Sequence, residues 1–187
     1  AYHPARWPKT PVDFTGKRVG IIGTGATAIQ AIPEIAKQAK HLTVFQRRPN
    51  WAAPLHNAKI STEEMAKIKA RYDEIYALCR STSTWFIHAA DPRNTFDVPP
   101  AEREAFWEEL YGAPGFGIWI GNFKDMLTDE KANAAASAFI ARKIRERVKD
   151  PKIADKLIPK DHGFGTRRVP LESGYFEAYN RDNVELV

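Results

Sequence analysis

The sequence predicts an α/β protein: a parallel sheet with packed helices, interrupted by a mostly helical insertion. Three observations predict it. A short apolar run, a glycine turn and an amphipathic stretch follow one another in RVGIIGTGATAIQAIPEI, residues 18–35. A second strand-like run, HLTVFQ, occupies 41–46 directly after it. From 57 to 159 the apolar spacing is helical, and strand- and turn-like sequence returns only afterwards.

The elements follow in chain order. Residues 1–16 carry Pro4, Pro8 and Pro11 with little periodicity, and read as an interdomain linker entering a sheet. Arg18 to Ile22 suits a buried parallel strand, and Ala26 to Gln38 a helix. Between and into them runs Gly23, Thr24, Gly25, Ala26, Thr27, Ala28, a GxGxxA pattern. Gly23 permits a tight turn, Gly25 lets backbone approach a pyrophosphate, and Ala28 lets the helix sit close to the sheet. The first-turn amides of that helix would face the phosphates. The flanking strand and helix raise the pattern from a bare glycine turn to a Rossmann-like dinucleotide-binding motif.

The end of the second strand selects the dinucleotide. A site for the unphosphorylated cofactor usually places an acid there, about twenty residues beyond the glycines. This chain has Gln46, Arg47 and Arg48 instead. Guanidinium groups form charged, forked hydrogen bonds to phosphate oxygens, so NADP is the expected cofactor.

Pro49 to Leu55 then reads as a turn-like segment, and Ser61 to Cys79 as a helix with Ser61 and Glu64 in a capping box. Met65, Ile68, Tyr72, Ile75 and Tyr76 share one of its faces. Further helices are expected at Pro100 to Leu110, from Thr128 to Val148, and after Asp150-Pro151. The sheet is expected to resume near Thr166, with a strand in NVELV at 183–187. Residues 17–56 and 160–187 therefore form the dinucleotide-binding domain and 57–159 the inserted helical domain. The polar, proline-rich start and the terminal strand read as cuts in a larger protein. Eight aromatics lie outside the sheet: Trp51, Trp85, Phe86, Trp107, Tyr111, Phe116, Trp119 and Phe123. Most should be core, and two or three should face a partner domain or substrate channel.

Composition sets the outer limits. At 187 residues and 43% hydrophobic the chain fills one good core. A charge of +5, from 28 basic and 23 acidic residues, is too mild and dispersed for a nucleic-acid surface. The single Cys79 excludes an internal disulfide and suits a reducing compartment. There is no apolar run of about 18 residues and no signal-peptide core, so a cytoplasmic, membrane-free protein is expected. No metal site is expected.

Four motifs in order resemble the type I Baeyer–Villiger monooxygenases over nearly the whole chain. His3, Trp7 and Pro8 look like the second half of that family's FxGxxxHxxxWP fingerprint. GTGATA at 23–28 is similar to the second of its two dinucleotide motifs, and VFQRRPNW at 44–51 to its NADP-selecting segment. GTRRVPLESGYFEAYNRDNVELV at 165–187 resembles the segment that carries its catalytic arginine. The resemblance implies FAD and NADPH as cofactors, and insertion of one oxygen atom of O₂ beside a ketone carbonyl to give an ester or lactone. It also implies that FAD is bound by a domain outside this chain, and that the chain alone is inactive.

On that resemblance Arg168 is the active-site arginine and Arg167 stands where the family more often has a lysine on the 2′-phosphate. Oxygen transfer builds negative charge, which a fixed guanidinium at 168 would stabilise in a site shielded from water. His3 is expected to hold the linker, for instance by donating to a backbone carbonyl, with direct chemistry a lesser alternative. Lys9 and Arg48 depart from the family, which more often has an acid and a threonine there. Arg48 either adds a phosphate contact or points to solvent. Two other functions fit the glycine motif: a non-enzymatic NADP-sensing module, and a flavin-containing monooxygenase that oxygenates nitrogen or sulfur.

Overall fold

The computed structural model describes all residues from Ala1 to Val187. They form two compact units, one of residues 1–52 and 137–187, the other of residues 53–136.

The first unit is built on a parallel three-stranded sheet in the order β1-β2-β5, with β1 at Arg18–Ile22, β2 at His41–Phe45 and β5 at Val184–Leu186. β2 is the central strand, and its Leu42 and Val44 are fully buried. Its register runs from Arg18↔His41 to Ile22↔Phe45 on one side and from Leu42↔Val184 to Val44↔Leu186 on the other. Helix α1, Ala26–Gln38, lays Ile29, Ile32, Ile35 and Ala36 into the core at helical spacing. Asn183 ties the start of β5 to the end of α1, donating to the backbone oxygens of Ala36 at 3.0 Å and Ala39 at 2.8 Å. Those carbonyls sit where a helix has no internal donors left to offer.

The sheet does not resume at Thr166. The parallel strand returns only at Val184, and the chain between holds the short β4, Leu171–Glu172, and the one-turn α8, Tyr175–Ala178. A charge network around the buried Glu172 fixes this stretch. Arg147 donates to Glu172 at 2.7 Å and to Glu177 at 2.6 Å, while Glu172 also accepts from the Tyr175 amide at 2.9 Å. The Glu172 side chain is fully buried, so its charge is viable only because each of its oxygens has a donor. Desolvation pushes the Glu177 carboxyl up, but the hydrogen bond and the charge of Arg147 together hold it below its ordinary value.

The second unit carries β3 (Ala53–Pro54), α2 (Thr62–Ala70), α3 (Tyr72–Ser81), α4 (Pro100–Gly112) and α5 (Gly117–Ile120). The helix expected from Ser61 to Cys79 is two helices. Ser61 caps the first, accepting from the Glu64 amide at 3.1 Å, but the chain breaks at Arg71 (φ −112°, ψ 14°). Neither helix buries a residue, so no packed stripe holds a single register across Arg71. The core of this unit is aromatic. Trp107 donates through Nε1 to Asn122 at 2.9 Å, and Phe123 lies against both Phe106 and Trp107.

The longest helix, α6, spans Glu130–Arg147. Its first turn is capped by Asp129, which accepts from the Ala132 amide at 2.8 Å, and not by Thr128. Ala132, Ala136, Phe139, Ile140, Ile144 and Val148 are all buried. Helix α7, Pro151–Leu157, begins at Asp150, whose carboxylate accepts from the Lys152 amide at 2.8 Å. The second half of α6 and all of α7 belong to the sheet-bearing unit, whereas the sequence pattern groups them with the other helices. Of the eight aromatics outside the sheet, Trp51, Trp107, Tyr111 and Phe123 are buried, Phe116 and Trp119 half-buried, and Trp85 and Phe86 exposed. No helix is long and apolar enough to cross a membrane.

Candidate functional site

The site is built at the carboxyl ends of β1 and β2, where an open α/β sheet places its ligands. Gly23 leaves β1 with φ +93°, a conformation that side-chained residues rarely adopt, and its amide donates to the Phe45 oxygen at 2.8 Å. Gly25 caps α1 with an ordinary φ of −79°, and a Cβ placed on it would meet no protein atom within 4 Å. Nothing inside the chain therefore requires glycine at 25. The bare backbone at that position faces open space at the head of α1, where Ala26 and Thr27 are exposed and Ala28 is half-buried. First-turn amides have no intrahelical acceptor, which makes this a cradle for an anion.

Thr24 is the buried member of the turn. Its hydroxyl donates to the Arg48 backbone oxygen at 3.0 Å, joining the glycine turn to the segment that leaves β2. Arg47 is exposed and pairs with no acid. Arg48 reaches Asp161, its Nη1 lying 3.3 Å from Oδ2, and Nη2 of Arg167 lies 3.7 Å from the same oxygen. Arg48 and Arg167 are thus brought together through Asp161. The other carboxylate oxygen takes a 2.7 Å hydrogen bond with Nδ1 of His162. That bond holds the Asp161 carboxyl below its ordinary value against desolvation, and the charge of Arg167 adds to the effect.

Other predicted residues lie apart from this cluster. Gln46 turns toward α7, donating to the Lys156 oxygen at 2.8 Å, with its Oε1 buried and unpartnered. Arg168 is exposed and makes no ion pair, and it is joined by no contact to Arg167's partner Asp161. His3 does not donate to a carbonyl as expected. Its Nδ1 accepts from the Ala5 amide at 3.2 Å, because the chain enters a 3-10 turn at Pro4–Arg6 whose first amides need an acceptor. Trp7 is exposed beside Tyr2 and Phe14, with ring centroids 5.6 and 6.3 Å away, and Pro8 is half-buried next to it.

Sequence reasoning missed Asp161 and His162. They sit in a loop, where no periodicity marks an acid as the partner of two distant arginines. It also passed over the structural role of the Thr24 hydroxyl, since threonine in a glycine turn is ordinary.

No protein-family model matches the chain. Among curated proteins, 2-oxo-Δ3-4,5,5-trimethylcyclopentenylacetyl-CoA monooxygenase of Pseudomonas putida is 53% identical over 193 residues, covering all of this chain and 35% of the relative. A solved structure of OTEMO with FAD and NADP matches with a TM-score of 0.97 at 53% identity, over all of this chain and 36% of that one. An oxidised steroid monooxygenase bound to NADP matches with a TM-score of 0.94 at 47% identity, over 98% of this chain and 35% of that one. The chain spans about a third of the length of the curated relatives it matches. Its parallel sheet flanked by helices is the Rossmann-like architecture of these structures.

Proposed function

We propose, from the close homology and structural match of this chain over its full length to the type I Baeyer–Villiger ketone monooxygenases, that it is the NADP(H)-binding portion of such an enzyme. The complete enzyme would insert one oxygen atom of O₂ next to a ketone carbonyl and release an ester or lactone. The observation that carries the cofactor assignment is Gly25. Its Cβ position is open and its backbone unstrained, so the demand for glycine comes from a group outside the protein.

The residues present fit NADP. Gly23, Thr24, Gly25, Ala26, Thr27 and Ala28 would hold the pyrophosphate, and Arg47, Arg48 and Arg167 the adenosine end with its 2′-phosphate, while Gln46 would brace the segment of Arg47 and Arg48 against α7. Residues 46–48, which follow β2, include no acid of the kind that accepts from an unphosphorylated ribose. NADPH supplies the reducing equivalents, and FAD, held by a partner domain of the same polypeptide, supplies the oxygen chemistry. Arg168 would stabilise the negative charge that builds on oxygen during the transfer. His3, Trp7 and Pro8 would set the conformation of the interdomain linker. β1 has a hydrogen-bonded neighbour on one side only, and Ile22 at its end is 91% exposed, which supports a covering partner domain. The relatives' names include both cyclic ketones and acetone, which supports a ketone as the substrate class. With the lone Cys79 free, a cytoplasmic setting suits the chain.

The test is product analysis. The complete polypeptide, loaded with FAD and given NADPH and O₂, should convert a cyclic ketone to a lactone. An N-oxide or S-oxide from amine or thioether probes, with no lactone, would favour the nitrogen- or sulfur-oxygenating reading. NADP binding with no oxygenation of any probe would favour the sensing module.

A further inference from the structure

The Asp161 carboxylate lies where an anion is wanted. Its Oδ2 stands between Nη1 of Arg48 at 3.3 Å and Nη2 of Arg167 at 3.7 Å, two guanidinium groups delivered by segments far apart in sequence. Both distances exceed the usual reach of a charge-assisted hydrogen bond, about 2.7–2.9 Å. Both arginine side chains are more than half exposed. These are loose pairs that a better anion could replace. The carboxylate itself is not loose, because Oδ1 is held at 2.7 Å by His162, whose ring is 7% exposed and whose Nε2 has no partner. One oxygen is thus anchored on a buried imidazole and the other is presented to the arginines.

The surroundings point the same way. A cavity of about 440 Å³ opens beside Arg48, floored by Pro49 and Ile158 and flanked by Lys156 and Lys160. Its other acid, Asp155, is already engaged by Arg145 at 3.0 Å. Asp161 is therefore the main negative charge left to balance this basic rim.

We propose that Asp161 is a resident counter-anion of the 2′-phosphate site: it occupies the place of a phosphate oxygen between Arg48 and Arg167, and competes with the phosphorylated cofactor for them. The proposal rests on the NADP reading above and adds to it a residue that limits affinity. A phosphate brings more charge and three acceptor oxygens, so it displaces the carboxylate from the arginines but not from His162. The carboxylate then stays nearby as a like charge, which weakens retention of the cofactor. Without the phosphate there is nothing to displace it, so the unphosphorylated cofactor is indifferent to Asp161.

The experiment is calorimetric titration of the complete, FAD-loaded polypeptide with NADP⁺ and NAD⁺, as wild type and as Asp161→Asn and Asp161→Ser. Asparagine keeps a carbonyl oxygen for His162, and thermal melts of both variants check the fold. NADP⁺ should bind the variants about three- to tenfold more tightly, the scale of one or two exposed ion pairs released. NAD⁺ affinity should not move, and the gain should shrink as salt is raised. Unchanged or weaker NADP⁺ binding in folded variants would overturn the proposal, weaker binding meaning that Asp161 positions the arginines instead of competing for them. A wild type that binds NADP⁺ and NAD⁺ equally would instead reject the underlying NADP reading, and the proposal with it.

Discussion

The buried hydroxyl of Thr24 donates to the backbone oxygen of Arg48 at 3.0 Å, across the carboxyl ends of two neighbouring strands. Thr24 belongs to the turn that would cradle the pyrophosphate. Arg48 belongs to the segment that would meet the 2′-phosphate. This hydrogen bond, with that from the Gly23 amide to Phe45, ties the glycine turn to the segment leaving β2, the two regions proposed to meet the phosphates of one cofactor.

Thr24→Val keeps the shape and removes the donor. It should cost about 1 kcal/mol of stability in a denaturant melt, the net value of one partly buried hydrogen bond. NADP⁺ binding in the complete polypeptide should weaken more than NAD⁺ binding, because only the former depends on where the Arg48 segment stands.

The two motif glycines should respond oppositely to alanine. Gly23→Ala places a side chain at φ +93° and should destabilise the fold by about 1–2 kcal/mol. Gly25→Ala enters open space at an ordinary φ, so its melt should stay within about 1 kcal/mol of wild type. Its dinucleotide affinity should nevertheless fall by an order of magnitude, for NADP⁺ and NAD⁺ alike. A stable Gly25→Ala protein with full affinity would remove the pyrophosphate from this turn.

Arg167 and Arg168 should separate kinetically. Arg167 lies 3.7 Å from Asp161 and shares it with Arg48, whereas Arg168 takes no part in that cluster. Arg167→Ala should mainly raise the KM for NADPH, the mark of lost uniform binding. Arg168→Ala should retain NADPH binding and lose ester formation by roughly a hundredfold or more, the size of one removed transition-state donor. Stopped-flow spectra with product analysis would read the two steps apart, and the reverse pattern would exchange the roles.

Acid should loosen the helical unit through Asp91. Its carboxylate accepts from the Arg93 side chain at 2.9 Å on both oxygens, and this hydrogen bonding holds its pKa below the ordinary 3.8 against some desolvation. A depressed carboxylate pKa contributes stability that is complete above the ordinary value and is lost as pH falls through the folded one. Asp91→Asn should therefore lower the melting temperature at pH 7 and reduce its dependence on pH below about 4. A variant whose acid-unfolding curve overlays the wild type would show that the pair contributes nothing.

Much of the sheet unit was legible because its elements are local. β1, α1 and β2 are consecutive, and strand, glycine turn and amphipathic helix each have their own period or residue type. The stripe from Ala132 to Val148 was legible for the same reason. What escaped was set by tertiary contacts. The break at Arg71 follows from the absence of packing on either side of it, which an apolar face in the sequence conceals. The direction of the His3 hydrogen bond depended on a 3-10 turn that three residues scarcely announce. The Asp161–His162 pair lies in a loop, and its meaning comes only from Arg48, delivered by the distant end of β2.

The most direct test of the account is the difference in affinity between NADP⁺ and NAD⁺, measured by calorimetry on the complete polypeptide as wild type and Arg47→Ala. The wild type should prefer the phosphorylated cofactor. Arg47→Ala should weaken it by about 1.5–3 kcal/mol, the scale of a charged hydrogen bond, and leave NAD⁺ nearly unchanged. Equal affinities of the wild type for both dinucleotides would contradict the assignment of Arg47, Arg48 and Arg167 to the 2′-phosphate, and with it the NADP(H)-binding role of this chain.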